Sequence, residues 1–255
     1  MFEVSLKGQT CLITGASRGI GKAVAIKLAE ADIMGMTIVD VVMDEQSEQT
    51  KKELEDMGVD VQFIVGDASS DEVIQSAVKR CMDCWGQIDI LVNIAGISYM
   101  TDLDTTSVEQ WDKVLGVNLR SVFLTMKYCS PIMKKQGHGS IVNTSSIAGI
   151  TGGSTGPDYG ASKGGIISLT RFAAKNLGPY NIRVNAIAPG TIATDMIKRN
   201  YAKLTPEQLE KKLSTISMRR MGEPAEVGKA VLFLVSDMGS YISGEIMDVG
   251  GARMA

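Results

Sequence analysis

Tyr159 and Lys163 stand four residues apart at the start of a helical pattern, which puts the phenol and the ammonium on one face, one turn apart. A free phenol titrates at ~10 and is a poor base at neutral pH. A fixed positive charge a few Å away favours the phenolate and lowers that value. Bringing a phenol to ~7 takes about 4 kcal/mol of preferential phenolate stabilisation. Ser146 closes the short apolar strand that precedes this helix and can lend a hydroxyl to the same cleft. Together they supply a proton-transfer group, a charge that tunes it, and a donor for a carbonyl or alkoxide oxygen. On an ordinary helix surface the same pair packs a ring under an aliphatic stem. The surrounding elements separate the two readings.

Those elements alternate. Apolar runs at 9–14, 36–42, 61–65, 88–93, 140–142, 182–188 and 245–249 read as strands. Helical patterns fall between them, from the glycines at 15, 19 and 21 through 31, then at 45–57, 107–135, 159–177, 205–213 and 224–236. Asp71 reads as the N-cap of a further helix, and Pro131 as a break in or end to the 107–135 helix. This order predicts an α/β chain: a Rossmann-type, doubly wound parallel sheet of about seven strands with helices on both faces. No linker, repeat or low-complexity segment divides residues 1–255, so one domain is expected.

Composition narrows the function. The 255 residues are 44% hydrophobic and 22% charged, with net charge −3, values of an ordinary globular protein. The absence of a Lys/Arg block disfavours nucleic-acid binding. No basic region followed by an apolar core opens the chain, and no apolar stretch is long enough to span a bilayer, so a cytoplasmic protein is expected. Cys81 and Cys84 form a single CxxC, and His138 is the only histidine. Neither suits a metal site or a Ser-His triad, so the cysteines read as structural and no metal is expected.

In doubly wound sheets ligands bind at the carboxyl ends of the strands. Gly15, Gly19 and Gly21 follow the first strand and let the backbone turn tightly, bringing a helix N-terminus against a pyrophosphate. Asp40, nineteen residues after Gly21, ends the second strand, where a carboxylate can accept from adenosine ribose hydroxyls.

With these pieces in place the chain resembles a short-chain dehydrogenase/reductase along nearly its whole length. The resemblance rests on TGASRGIG at 14–21, Asp67 after the third strand, NIAG at 93–96 and Asn118 in GVNL. It continues through Ser146 in NTSS, thirteen residues before the tyrosine, YGASK at 159–163 and PGTIAT at 189–194. It implies hydride chemistry on a small-molecule alcohol or ketone, with a catalytic set of Ser146, Tyr159, Lys163 and Asn118. Asn118 would hold a water linking Lys163 to solvent. The implied cofactor residues are Gly15, Ser17, Arg18, Gly19, Ile20 and Gly21 in the glycine loop, Asp40 at the ribose, and Asp67 with Ala68 at the adenine. Asn93, Ala95 and Gly96, then Tyr159 and Lys163, then Pro189, Gly190, Ile192 and Thr194 complete the set. Two departures stand out: Ile94 replaces the usual second Asn of NNAG, and residues 31–35 make a longer connection than usual.

The resemblance further implies a substrate-covering insertion around 191–221, in which only Arg219 and Arg220 suggest an anion clamp, and a homotetramer built on the long helices and the C-terminal VGGARMA. Gly152, Gly153 and Gly156 suggest an open, mobile loop over the cleft. A carboxylate at Asp40, followed by Val41 where a phosphate site needs a basic residue, favours NAD over NADP; Arg18 argues the other way. The leading expectation is an NAD-dependent dehydrogenase of a polyol, hydroxysteroid or similar secondary alcohol. A 3-oxoacyl-acyl-carrier-protein reductase is the alternative, and a non-catalytic nucleotide sensor the third.

Overall fold

The computed structural model describes residues 4–153 and 155–252, apart from the side chains of 196, 199 and 200. Seven strands form one sheet: β1 (Thr10–Thr14), β2 (Gly35–Asp40), β3 (Asp60–Val65), β4 (Ile90–Asn93), β5 (Gly139–Thr144), β6 (Ile182–Pro189) and β7 (Ile246–Val249). All pairings are parallel, in the order β3-β2-β1-β4-β5-β6-β7. The order reverses between β1 and β4, which opens a crevice at their carboxyl ends.

Side chains alternate between two buried layers. Cys11 and Ile13 of β1 and Ile90 and Val92 of β4 face one layer, with α1 (Gly19–Ala29) and α10 (Pro224–Val235). Leu12 and Leu91 face the other, with α3 (Asp71–Trp85), α5 (Ser121–Gln136) and α7 (Pro157–Leu177). Burial on both faces is why the strands read as continuous apolar runs. The remaining helices are α2 (Glu45–Asp56), α4 (Val108–Leu115), α6 (Ile147–Thr151), α8 (Asp195–Tyr201) and α9 (Pro206–Ser214). None of the helices in the described residues is long and apolar enough to cross a membrane.

Three local expectations change. Ser70, not Asp71, caps α3: its hydroxyl accepts from the Val73 amide at 3.3 Å, and Asp71 is the first helical residue. Pro131 lies inside α5, where burial of Val122, Met126, Cys129 and Met133 outweighs one lost hydrogen bond. The irregularity sits earlier, in a π-helical turn at Gly116–Arg120 that joins α4 to α5 and turns Asn118 fully inward. The glycine-rich loop after β5 is also partly helical. The Ser146 hydroxyl accepts from the Ala148 amide at 3.1 Å and caps α6. Of VGGARMA, residues 253–255 lie outside the described residues.

Candidate active site

The nucleotide end is built by close backbone approach. A Cβ on Gly21 would lie 1.9 Å from the Gly15 carbonyl oxygen, and one on Gly15, whose φ is +71°, would meet the Ala95 backbone at 2.8 Å. Only glycine lets β1, the start of α1 and the 94–96 segment meet there. No side chain caps α1 from Arg18, which leaves its first amides free for an anion. Asp40 is fixed beside this loop: its Oδ2 accepts from the Ser17 amide at 3.1 Å and its Oδ1 from the Val41 amide at 2.8 Å. The Ser17 hydroxyl is buried with no hydrogen-bond partner among the described residues. Arg18 turns to Asp44, Nη2 to Oδ2 at 2.5 Å, and that hydrogen bond is the main reason the Asp44 carboxyl is held down to about 2. Asp67 is exposed after β3 with Ala68 buried beside it, and the Asp67 Oδ1 accepts from the Ser69 amide at 2.8 Å. Free helix amides, an orphaned hydroxyl and a carboxylate at a strand end fit the pyrophosphate and ribose of a dinucleotide.

The reactive end opens into a cleft of about 810 Å³ whose walls include Gly96, Ser146, Tyr159, Lys163, Gly190 and Thr194. Lys163 is buried, and its Nζ donates to the Thr144 carbonyl at 2.8 Å. The Ser145 hydroxyl donates to the Lys163 carbonyl at 2.8 Å, so the tail of β5 grips both ends of this residue. Burial alone takes the ammonium down to about 8. The ammonium stands 5.7 Å from the Tyr159 ring centre. Burial also pushes the Tyr159 phenol up, while a hydrogen bond from Ser146 pulls it down. Desolvation of the phenolate thus outweighs the Ser146 hydrogen bond in setting the direction of the phenol's shift. The Thr144 carbonyl engages one of the three donors of the Lys163 ammonium.

The Asn118 side chain is engaged on every side. Its Oδ1 accepts from the Ile97 amide at 2.8 Å, and its Nδ2 donates to the Ile97 carbonyl at 2.9 Å and to the Ser162 hydroxyl at 3.1 Å. A Cβ on Gly96 would lie 3.2 Å from Asn118 Oδ1 and 3.5 Å from Lys163 Nζ, so the three groups form one packed unit.

A buried charge held near 8 instead of its ordinary 10.5 costs stability, about 3 kcal/mol at 1.36 per unit. The cost is complete below pH 8 and is relieved as pH rises toward 10.5, because the amine then loses its proton in the folded state first. Lys163→Met should therefore be the more stable protein at pH 7, by about 2 kcal/mol after the orphaned Thr144 carbonyl is counted. The gain should shrink by pH 10. Urea melts at both pH values measure this, and a less stable variant at pH 7 would refute it.

Comparison with known proteins fixes the family. A family model described as enoyl-(acyl carrier protein) reductase, of the short-chain alcohol dehydrogenase type, matches residues 15–251. The 3-oxoacyl-acyl-carrier-protein reductase of Thermotoga maritima is 40% identical over 247 residues, 96% of this chain and 98% of that protein. The chain belongs to the short-chain dehydrogenase/reductase family. Its fold matches an NAD+-bound xylitol dehydrogenase with a TM-score of 0.89 at 33% identity, covering 96% of this chain and 99% of that one. It also matches an NAD-bound 3-oxoacyl-acyl-carrier-protein reductase from Brucella melitensis, with a TM-score of 0.87 at 36% identity, covering 98% and 93%. As a family member it is an oxidoreductase acting on a carbonyl or CH–OH group.

Among the family positions, the structure gathers Ser146, Tyr159 and Lys163 around one cleft, with Asn118 behind Gly96 and Lys163. Ile20, Pro189, Gly190, Ile192 and Thr194 line the same space. Asn93 closes β4 beside this cleft. Its Nδ2 donates to Asn143 Oδ1 at 2.8 Å and its Oδ1 accepts from the Thr125 hydroxyl at 2.8 Å, so its side chain is a buried tie between strands and helices. Ile94 does line the cleft, as an apolar wall. Arg219 and Arg220 are structural: the first donates to the Ser214 carbonyl at 2.8 Å, the second makes two hydrogen bonds to the Glu226 carboxylate. His138 pairs with buried Asp89 at 2.8 Å beyond the amino end of β4, remote from the cleft. Cys81 is buried and Cys84 exposed, both as free thiols. Sequence reading missed Thr144, Ser145 and Ser162, which hold Lys163 and Asn118; ordinary polar residues in a strand tail or helix carry no signal of such partners.

Proposed function

We propose that the protein interconverts a 3-oxoacyl thioester and its 3-hydroxy form, with NAD(H) as the nicotinamide cofactor. The observation that carries this reading is the composition of the cleft. Around Ser146 and Tyr159 it is lined by Ile94, Ile97, Met100, Ile147, Ile197 and Leu204. A polyol would bring a hydroxyl on nearly every carbon, and each one set against these apolar side chains without a partner costs about 1–3 kcal/mol, while Ser98, Thr151, Thr155 and Lys212 also line the cleft. An acyl chain loses nothing there and gains burial. The relatives named as 3-oxoacyl-acyl-carrier-protein reductases support the same substrate class over the polyol first expected.

The bound nicotinamide nucleotide would supply or accept the hydride. In reduction the Ser146 hydroxyl donates to the ketone oxygen and Tyr159 delivers its phenolic proton to it; in oxidation Tyr159 takes the proton back. The Lys163 ammonium has three donors, of which Thr144 uses one, so the others can serve the cofactor ribose and the phenol oxygen. Asn118 is the strut that fixes Gly96 and Ile97 beside the ammonium, its amide being engaged on both sides. A complete set of these groups argues against a nucleotide sensor without catalysis.

Absorbance assays with 3-oxobutanoyl thioester and NADH test the reading directly. Failure with every thioester, alongside turnover of a polyol or hydroxysteroid, would restore the first expectation. Asp40 favours a second reading on direction. An NAD-selective site suits oxidation of a 3-hydroxyacyl compound or another secondary alcohol, since synthesis ordinarily draws on NADPH.

The assembly follows the family expectation of a homotetramer in the cytoplasm. Phe123 on α5 and Phe172 on α7 are 50% and 67% exposed, an apolar face on the two helices expected to pair. Light scattering at micromolar concentration should give four times the chain mass, and a monomer would refute it.

A further inference from the structure

The cap over the cleft is charged against the rest of the molecule. Residues 195–221 carry seven Lys or Arg and three Asp or Glu, in a chain whose net charge is −3. Several of the cations are already engaged. Arg220 grips Glu226, and Arg219 caps the end of α9 at Ser214. Lys211 and Lys212 have no ion pair among the described residues. Glu207, one turn before Lys211, does not reach it within ion-pair distance, although the spacing permits it.

These lysines stand where a substrate would extend. A second cavity of about 420 Å³ is walled by Tyr201, Leu204, Gln208, Lys211, Lys212 and Thr215. Tyr201, Leu204 and Lys212 also wall the reactive cleft, so the side cavity is an arm of it. Lys212 Nζ lies 5.6 Å from the Tyr201 ring centre, which holds the ammonium over the shared wall. Ring and leucine supply an apolar passage, with Lys212 on the wall shared by both spaces and Lys211 on the wall of the arm.

We propose that the natural substrate carries an anionic group remote from its ketone, and that Lys212 and Lys211 receive that group at the arm of the cleft. The acceptable chemistry is a carboxylate or a phosphate joined to the ketone by a largely apolar chain. A protein with net negative charge repels such a substrate on average, and a cationic cap reverses the field locally at the entrance. A neutral substrate would leave the ammonium groups with no role in recognition. The inference rests on the reading of the cleft as a ketone-reducing site, and it extends to any ketone the site accepts.

Matched ketones test it. One set places the same 3-oxoacyl group on N-acetylcysteamine, which is neutral, and on phosphopantetheine, which bears a phosphate. A second set pairs medium-chain 3-oxo esters and cyclic ketones bearing a terminal carboxylate with the methyl esters of that carboxylate. With NADH, kcat/KM should be at least ~10-fold higher for the charged member of one set, and which set responds identifies phosphate or carboxylate. The advantage should fall toward 1 in Lys211→Met/Lys212→Met, survive in Lys211→Arg/Lys212→Arg, and weaken as salt is raised. A merely structural role for the lysines would move both members of a pair together. Equal values within every pair that is turned over, or an advantage that persists in the double Met variant, would overturn the inference. Failure of all thioesters while the carboxylated ketones keep their advantage would remove the thioester reading and leave this one standing.

Discussion

Tyr159→Phe should reduce kcat by about 10³–10⁴-fold while binding of NADH changes little, because the phenol oxygen moves a proton and does not anchor the nucleotide. The environment argues for an effect at the upper end. Burial pushes the phenol up, so the neutral acid is its resting form, suited to proton delivery in reduction. The Ser146 hydroxyl, which caps α6 and bonds the phenol, can polarise a ketone but holds no proton to release at neutral pH. The buried Lys163 Nζ is held at the Thr144 carbonyl, 5.7 Å from the Tyr159 ring centre. Stopped-flow and steady-state rates with NADH titrated by fluorescence give both quantities. Residual activity above a few per cent in pure enzyme would remove Tyr159 from the acid/base role.

The second large effect is cofactor choice. The wild-type protein should prefer NAD to NADP by ~100-fold in kcat/KM, worth about 2.7 kcal/mol. The Asp40 carboxylate is locked by the Ser17 and Val41 amides at the end of β2, so it cannot turn away from an added phosphate. Like charges about 4 Å apart near a protein surface repel by about 4 kcal/mol before ions screen them. Arg18 was the counter-argument in the sequence. In the structure it pairs with Asp44, which brings a second carboxylate toward the same corner and engages the guanidinium. Asp40→Ser should raise the NADP/NAD ratio by at least ~10-fold, and adding Asp44→Asn should raise it further by releasing Arg18. Faster wild-type turnover with NADP would defeat the Asp40 assignment and the oxidative reading together.

Much of this molecule was legible in its residues. Strands buried on both faces must be apolar runs, so β1 through β6 could be placed within a few residues. A helix starting within two residues of its place at 157, and the Tyr159–Lys163 spacing, follow from local geometry. The close contact between Gly15 and Gly21 is a constraint that only glycine satisfies, and it therefore leaves a mark in the sequence. What the sequence determined was which groups are present and roughly which end of the sheet holds them.

Their chemistry was decided by packing. Proton affinity depends on desolvation and on partners distant in the chain, and neither is written in a residue's type. Lys163 looked like a charge that would acidify Tyr159. Only the fold shows it buried against Thr144, nineteen residues away, with its own affinity lowered and the phenol raised. That a π-helical turn sets the Asn118 amide as a clamp on Ile97 is visible only in the fold. The ties from the Asn93 side chain to Thr125 and Asn143 are likewise visible only in the tertiary structure. In each case the deciding distance spans tens of residues, and local propensity cannot encode it.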